Sequence, residues 1–267
     1  MLHLAFLGAG NMAGAILRGL IAAGAVVPKD AAVLAGAGKS APALAADTGA
    51  RLAKDLPDLL AGADAFVLAC KPQHFAGLDP ALAELTAGKL VVSVLAGTPI
   101  SRLRRAFPDA RAIVRLMPNT PGRIGAGVTP FTPEHPLDDA DAATTDLMLG
   151  ALGASLEIPE SKMDAVIAGS GSTPGWFFEI VAAFEAGAIA AGLSPAEAQV
   201  LVRSSFIGSA RLLEATGEEP EALRNAVTSP NGTTFAGLQV FAQHDLRGIV
   251  AEAQRACVAR AKELAKG

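Results

Sequence analysis

Two short stretches of this sequence combine residue types and spacing that are suited to chemistry. The first, GAGNMA at 8–13, follows an apolar run and opens a helical pattern, which is the context that a dinucleotide-binding turn requires. Gly8 permits a tight turn, Gly10 lets the backbone approach a pyrophosphate, and Ala13 keeps the helix close to its strand. The helix N-terminus would face the phosphates, so this end of the chain predicts a nucleotide site.

The end of the next apolar run decides which nucleotide is favoured. An acid at that point would bind the free ribose diol of NAD, but the sequence there reads LAGAGKS at 34–40. Asp30 precedes the run and therefore belongs to the wrong end of the strand. With no acid present and with Lys39 and Ser40 nearby, a ribose phosphate is better tolerated. NADP is favoured, NAD is a possible second cofactor, and Lys39 also fits an ordinary solvated lysine.

Two further loops follow apolar strands at the edge where ligands of such sheets bind. They are KPQ at 71–73 and MPNTPG at 117–122, and their prolines restrict the backbone where a loop must hold its shape. Together with the glycine turn they predict one shared cofactor site. The predicted cofactor residues are Leu7, Gly8, Ala9, Gly10, Asn11, Met12, Gly36, Lys39, Ala69, Cys70, Lys71, Pro72, Ala96, Gly97 and Asn119.

The second stretch, NAVTSPNGTTFAGL at 225–238, places hydroxyl and amide side chains around a proline and a glycine. The backbone N–H groups of Gly232, Thr233 and Thr234 would open a helix over 234–243, and a helix N-terminus attracts anions. Ser229 and Thr228 are placed to cap or orient the loop. Taken alone, this pattern equally describes a capped helix start without a ligand.

The residues that the chain lacks also restrict its chemistry. There is no tyrosine, and no lysine or arginine lies between 163 and 202. Reduction of a ketone forms an alkoxide that needs a proton donor, whereas hydride addition to a protonated imine leaves a neutral amine. The missing acid therefore favours reduction of a C=N bond over a C=O bond.

These residues need an array of elements to position them. Apolar runs predict strands at 2–7, 31–34, 65–70, 90–95, 112–117, 125–129 and 154–158, with helices at 11–23, 41–47, 56–62, 74–86, 99–106 and 137–152. This alternation is typical of βαβ units and a mostly parallel, doubly wound sheet of the Rossmann type. Beyond about residue 160 only helical patterns follow, at 161–169, 174–192, 195–216, 219–227, 234–243 and 245–265. The pattern predicts an α/β nucleotide-binding domain over 1–159 and an all-α domain over 160–267, whose most apolar helix suits a dimer core.

Composition excludes several other kinds of protein. A net charge of -4 without a basic run argues against nucleic acid as a partner, and two distant cysteines with four isolated histidines predict no metal site. The N-terminus lacks the basic region of a secretory signal. The most apolar helical stretch, 175–193, carries two glutamates that would be costly in lipid. We therefore expect a cytoplasmic protein with no membrane segment.

The whole chain resembles the pyrroline-5-carboxylate reductase family of the 6-phosphogluconate dehydrogenase-like superfamily. The similarity lies in FLGAGNM at 6–12, ACKPQ at 69–73, VRLMPNTP at 114–121, SGSTP at 170–174 and VTSPNGTT at 227–234. The resemblance implies NAD(P)H-dependent reduction of 1-pyrroline-5-carboxylate to L-proline, the final step of proline biosynthesis, by a homodimer or a higher oligomer of dimers. It also implies that 160–267 is a substrate-binding and dimerisation domain, in which Ser229, Gly232, Thr233 and Thr234 receive the substrate carboxylate. Thr234 would then hydrogen-bond to the ring nitrogen.

The chain departs from the family pattern at several positions. Asn231 stands where a glycine is usual, and Thr173, Gly175 and Trp176 replace smaller or different residues after the Ser-Gly-Ser motif. Reduction of another cyclic imine is therefore an alternative, as is a non-catalytic NADP-sensing protein. A β-hydroxyacid dehydrogenase would require a catalytic lysine in 163–202, which the sequence does not supply.

Overall fold

A computed structural model describes residues 2–35 and 39–266 of the chain. The strands are β1 (Leu4–Leu7), β2 (Ala31–Leu34), β3 (Arg51–Leu52), β4 (Ala65–Leu68), β5 (Leu90–Ser93), β6 (Ala112–Leu116), β7 (Gly127–Pro133) and β8 (Gly153–Glu157). The helices are α1 (Asn11–Ala22), α2 (Ser40–Thr48), α3 (Leu56–Leu60), α4 (Leu82–Leu85), α5 (Ile100–Ala106), α6 (Asp139–Gly150), α7 (Met163–Val166), α8 (Thr173–Ala190), α9 (Pro195–Thr216), α10 (Pro220–Ala226), α11 (Thr233–Gln243) and α12 (Leu246–Lys266).

The strands form one sheet in the order β3-β2-β1-β4-β5-β6-β7-β8. β1 lies centrally and pairs in parallel with β2 on one side and β4 on the other, with Leu4 opposite Ala31 and Ala65. The chain therefore reverses its direction of progress across the sheet at β1, and ligands of such sheets bind at this switch point, beyond the carboxyl ends of the strands. The topology brings the predicted cofactor loops to one edge.

Side chains from alternating strand positions build a core on each face of the sheet. Leu4 and Phe6 of β1 are buried with Ile16 of α1 on one face, while Ala5 is buried with Phe66 on the other. Both faces are covered by helices, which explains why the central strands are apolar throughout rather than alternating with polar residues. The predicted doubly wound α/β architecture is confirmed.

Three local features differ from the sequence prediction. β3 contains only Arg51–Leu52 and was not predicted, because two residues give no recognisable periodicity. β7 pairs antiparallel to β6, although the rest of the sheet is parallel. The helix predicted over 74–86 is instead a 3-10 turn, Pro72–Gly77, followed by the short helix α4, because Pro72 and Pro80 interrupt the run.

The C-terminal part is helical within its described residues, as the sequence predicted. Ser194 caps α9 by accepting a hydrogen bond from the backbone N–H of Glu197, whose carboxylate accepts one from the Ser194 backbone N–H in return. Gly217 ends the same helix in the left-handed conformation, with φ of 63°. Serine, proline and glycine therefore mark the ends of the helix that was predicted over 195–216.

Contacts divide the chain into two compact units. One contains residues 1–172 together with 257–267, and the other contains 173–256. We call the first of these the nucleotide-binding unit, and the last turns of α12 belong to it. The predicted division at 159/160 concerns function rather than packing and stays a prediction.

Candidate functional site

The glycine turn between β1 and α1 has the geometry that a nucleotide site requires. Gly8 has φ of +110°, and a Cβ atom there would lie 2.3 Å from the carbonyl oxygen of Ala69. A side chain is therefore excluded by both conformation and space. Gly10 precedes α1 with open space where its Cβ would be, so a ligand can approach its backbone closely.

Backbone hydrogen bonds join this turn to the neighbouring strand ends. The N–H of Gly8 donates to the Leu34 carbonyl at 2.7 Å, and the N–H of Ala69 donates to the Leu7 carbonyl at 2.8 Å. Within the described part of the chain, no side chain caps the N-terminus of α1. The first N–H groups of this 12-residue helix therefore remain available to an anion, as a pyrophosphate would require.

The residues before and after β2 determine which groups could meet the ribose of the cofactor. Asp30 lies in a 3-10 turn before β2, at the edge of the sheet opposite to the predicted cofactor loops. Its carboxylate Oδ1 is 3.7 Å from His3 Nε2 at this same edge. Ala35 follows β2 and is half-buried, while Lys39 is exposed just before α2. Gly36, also predicted to bind the cofactor, lies outside the described residues.

The loops that follow β4 and β5 line a cavity of about 530 Å³ within the nucleotide-binding unit. Pro72, Ala96 and Gly97, all predicted cofactor residues, contribute to its wall. The remaining lining residues are Gln73, Ala76, Thr98, Arg102, Ile167, Ala261 and Glu263. Sequence reasoning missed Arg102, Ile167 and Ala261, because a helical arginine and two aliphatic residues carry no motif.

Cys70 sits between the glycine turn and this cavity-lining loop. Burial raises the pKa of its thiol, which its own backbone N–H only partly offsets. The neutral thiol is therefore the form present at physiological pH, and a neutral thiol is a weak nucleophile. Cys70 thus contributes packing and shape at the end of β4 rather than a charge.

Asn119 is buried and both ends of its side chain are used within the protein. Its Oδ1 accepts a hydrogen bond from the Val128 N–H at 3.0 Å, and its Nδ2 donates to the Ser170 carbonyl at 3.3 Å. The loop after β6 is thereby tied to the Ser-Gly-Ser segment. One N–H of Nδ2 and one lone pair of Oδ1 remain unused by these two bonds, and the cofactor contact predicted for Asn119 stays a prediction.

In the other unit, residues 229–234 form a tight turn into α11. Asn231 has φ of 59°, the left-handed conformation that glycine usually takes, and Gly232 precedes the helix with extended backbone. Asparagine tolerates this conformation better than most residues. The helix begins at Thr233 rather than Thr234, so Thr233 and Thr234 both belong to its first turn.

The side chains of this turn are presented to the surroundings. Ser229, Thr233 and Thr234 are exposed, and none of the described side chains caps α11. The Thr228 hydroxyl instead donates back to the Arg224 carbonyl at the end of α10. The turn therefore brings Ser229, Gly232, Thr233 and Thr234 together. The Gly232 N–H, predicted as one of three open groups, instead donates to the Ser229 carbonyl at 3.0 Å and closes the turn, so the open backbone N–H groups at this helix N-terminus are those of Thr233 and Thr234.

The Ser-Gly-Ser segment also meets the end of the chain. Ser172 Oγ lies 3.0 Å from Cys257 Sγ in α12, and both residues belong to the nucleotide-binding unit. Sequence spacing gave no signal for this pair, because 85 residues separate them. The contact fixes the point at which the chain returns to this unit.

The described residues form neither a metal-binding cluster nor a membrane-spanning helix. No group of three or more His, Cys, Asp or Glu side chains in 2–35 and 39–266 is arranged to hold a metal ion. Over the same residues, none of the helices has both the length and the apolar character needed to cross a membrane.

Two family models match separate parts of this chain. A family described as "Pyrroline-5-carboxylate reductase dimerisation" matches residues 160–264. Another, described as "NADP oxidoreductase coenzyme F420-dependent", matches residues 3–97. The two matches cover the predicted helical part and the region of the glycine turn.

Individual relatives extend over nearly the full length. The chain is 37% identical to a pyrroline-5-carboxylate reductase of Synechocystis sp., over 99% of each chain. It is 34% identical to the enzyme of that name from Escherichia coli, over 98% of this chain and 97% of the relative. A solved pyrroline-5-carboxylate reductase structure from Coxiella burnetii matches with a TM-score of 0.89 and 30% identity, covering 98% of both chains. The chain belongs to the pyrroline-5-carboxylate reductase family.

Proposed function

We propose that this protein reduces 1-pyrroline-5-carboxylate to L-proline with NADPH, the last step of proline biosynthesis. The observation that carries the proposal is membership of the family over nearly the full length of the chain. The positive φ angles of Gly8 and Asn231 support it. The enzyme is an oxidoreductase that acts on a C=N bond. NADPH supplies the hydride when it is bound.

The nucleotide-binding unit offers the features that the cofactor needs. The open backbone at Gly10 and the uncapped first turn of α1 within the described chain suit the pyrophosphate. The loops containing Pro72, Ala96 and Gly97 form the cavity wall further along the same sheet edge. Lys39 and the absence of an acid after β2 favour a ribose phosphate, and therefore NADPH over NADH.

The turn at 229–234 suits a small anionic ring. The N–H groups of Thr233 and Thr234, together with the helix dipole, would hold the carboxylate of pyrroline carboxylate. The Thr234 hydroxyl, exposed in the first turn, is then placed to hydrogen-bond the ring nitrogen. Thr234 assists by orientation and hydrogen bonding, because the imine nitrogen already carries its proton and the reaction needs no strong acid from the protein.

The conformation of Asn231 supports an enzyme over a sensor with a degenerate pocket. Its φ of 59° preserves the turn that a glycine would make. Trp176, half-buried near the start of α8, keeps another cyclic imine open as an alternative substrate. Comparing rates with five- and six-membered cyclic imino acids tests this alternative.

The remaining proposals concern the whole protein. We propose that 1–159 serves the cofactor while 160–267 binds substrate and forms the dimer, and that the enzyme works in the cytoplasm without nucleic-acid partners. A family described by dimerisation matches 160–264, which supports an obligate pairing of chains. Two free cysteines in the described structure suit a reducing compartment.

Loss of NADPH absorbance on addition of pyrroline carboxylate tests the proposed reaction directly. We expect stoichiometric formation of L-proline. Binding of NADPH without turnover of this substrate would instead support the sensor, and turnover of only a larger imine would support the alternative reductase.

A further inference from the structure

Arg115 is a buried cation to which the sequence motif assigns no role. It lies on β6 with 3% of its side chain exposed, opposite Ser93 of β5 and Thr132 of β7. Its Nη1 lies 3.2 Å from Glu160 Oε1. Its Nε and Nη2 find no acceptor among the residues that the structure describes. Removing an arginine from water is costly unless it is paired, so the contact with Glu160 is central to keeping this side chain inside.

Glu160 connects three parts of the nucleotide-binding unit through one oxygen. Its Oε1 faces Arg115 and also accepts a hydrogen bond from the backbone N–H of Ile100 at 2.6 Å. Glu160 itself stands in a 3-10 turn after β8, at the beginning of the region matched by the dimerisation family. One carboxylate thus links β6, the first residue of α5 and the start of the C-terminal region.

The hydrogen bond from the Ile100 N–H connects the Glu160 carboxylate to the loop between β5 and α5. Ile100 follows the β5–α5 loop, in which Gly97 has φ of 70° and both Ala96 and Gly97 line the 530 Å³ cavity. Arg115 is held by its strand neighbours on both sides, so it fixes the position of the Glu160 carboxylate. That carboxylate in turn fixes the end of a loop whose tip is exposed at Ala96.

We propose that Arg115 and Glu160 are positioning residues that hold the β5–α5 loop in the shape that accepts the nicotinamide nucleotide. Neither residue lines the cavity, so both act through Ile100 and the loop before it. The proposal rests on the function proposed above, because it concerns the fit of NADPH. It also explains why an arginine is buried at this position. Burial of an aliphatic residue would cost less stability, because it requires no charged partner.

The chain offers a matched control for a merely structural ion pair. Asp141 in α6 is also buried and accepts hydrogen bonds from Arg111 at 2.9 and 2.6 Å. Arg111 precedes β6, and neither residue lines the cavity or contacts the β5–α5 loop through a hydrogen bond in the described structure. Each pair has one buried and one partly exposed member, and E160Q and D141N each replace its carboxylate by an amide.

NADPH binding to the purified full-length protein, measured by calorimetry, tests the proposal. We expect E160A to raise the Kd for NADPH about tenfold, because it removes a charge-assisted hydrogen bond that fixes the loop, and E160Q to raise it about threefold. D141N should lower Tm but leave the Kd within about twofold of the wild type. In steady-state assays E160Q should raise the KM for NADPH more than it lowers kcat.

A double variant tests whether Arg115 acts through Glu160. The variant R115M/E160A should bind NADPH no more weakly than E160A alone, because the second change removes a residue whose partner is already gone. An E160A protein that binds NADPH as tightly as the wild type would overturn the proposal, as would a D141N protein that loses as much affinity as E160Q. If E160A does not fold, an unchanged Kd in E160Q overturns it. A wild type that does not bind NADPH would overturn the proposed function as well.

Discussion

Thr234 offers the sharpest distinction between a substrate contact and an ordinary helix start. Its hydroxyl is exposed in the first turn of α11 and has no capping role in the described structure. Thr234→Ala should therefore remove one hydrogen bond to the substrate, worth about 0.5–3 kcal/mol depending on charge. We expect kcat/KM to fall roughly several-fold to a hundredfold with little change in NADPH affinity.

A second threonine in the same unit provides the control for this prediction. Thr216 ends α9, where its hydroxyl donates to the Leu212 carbonyl at 3.0 Å. Thr216→Ala should lower Tm without lowering kcat/KM. If Thr234→Ala lowers Tm while leaving kcat/KM normal, Thr234 serves only the helix start, whose loss costs about 1 kcal/mol.

Ala35 tests the placement of the ribose. It follows β2 at the edge where the cofactor is proposed to bind, and no acid stands there. Ala35→Asp should repel a ribose phosphate and accept the hydroxyls of NADH, so the ratio of kcat/KM for NADPH to that for NADH should fall by about tenfold or more. Lys39→Ala should weaken NADPH binding alone. An unchanged ratio in Ala35→Asp would mean that the ribose lies elsewhere.

At the scale of elements, an ion pair joins α5 to the end of β7. Arg104 Nε donates to the Glu134 carboxylate at 3.0 and 3.2 Å, and this hydrogen bonding lowers the pKa of Glu134. A lowered carboxyl pKa adds stability at pH values above the usual range of glutamate, and that stability is lost as pH falls through the lowered pKa.

Glu134→Gln should therefore destabilise the protein at neutral pH by about 1 kcal/mol. The difference in unfolding free energy between wild type and variant should shrink as pH falls below about 4. Denaturant titrations at several pH values measure it. Asp47→Asn, which weakens the exposed pair with Arg18, is the control and should change stability much less. A difference that persists at low pH would contradict the assignment.

The elements also show which parts of the fold the sequence can predict. Buried strands such as β4 and β6 are short apolar runs bounded by turns, and Ser194 and Gly217 mark the ends of α9, so local patterns suffice. β3 is too short for a period, and the antiparallel pairing of β7 depends on a tertiary partner. The link between Arg115 and Glu160 spans 45 residues and has no local signal.

In the candidate site, too, contacts between residues far apart in the sequence could not be predicted from local patterns. Gly8 and Asn231 were predictable because a required backbone conformation restricts which residues fit. Ile167 and Ala261 line the cavity through long-range packing, and neither residue type indicates a ligand. Motifs therefore predicted the loops that form the site, while the walls completed by the C-terminal region required the structure.

For the whole molecule, the distribution of apolar surface predicts where the dimer contact lies. Of 22 exposed large apolar side chains among the described residues, 17 lie in 173–256. Such surface is normally buried against a partner. Phe178→Lys, at a side chain that is 58% exposed, should weaken the dimer, while Ile124→Lys, at one that is 82% exposed in the other unit, should not. Analytical ultracentrifugation measures both, and an active wild-type monomer would contradict the prediction.

The 3.0 Å approach of Ser172 and Cys257 bears on how this chain could be shortened by design. The segment 173–256 leaves and re-enters the nucleotide-binding unit at neighbouring points, in the manner of a cassette inserted into a host domain. Replacing 173–256 with a short Gly-Ser linker should therefore close the host without strain. We expect the resulting chain to fold as a monomer that binds NADPH without reducing any imine, and circular dichroism with calorimetry would measure both properties.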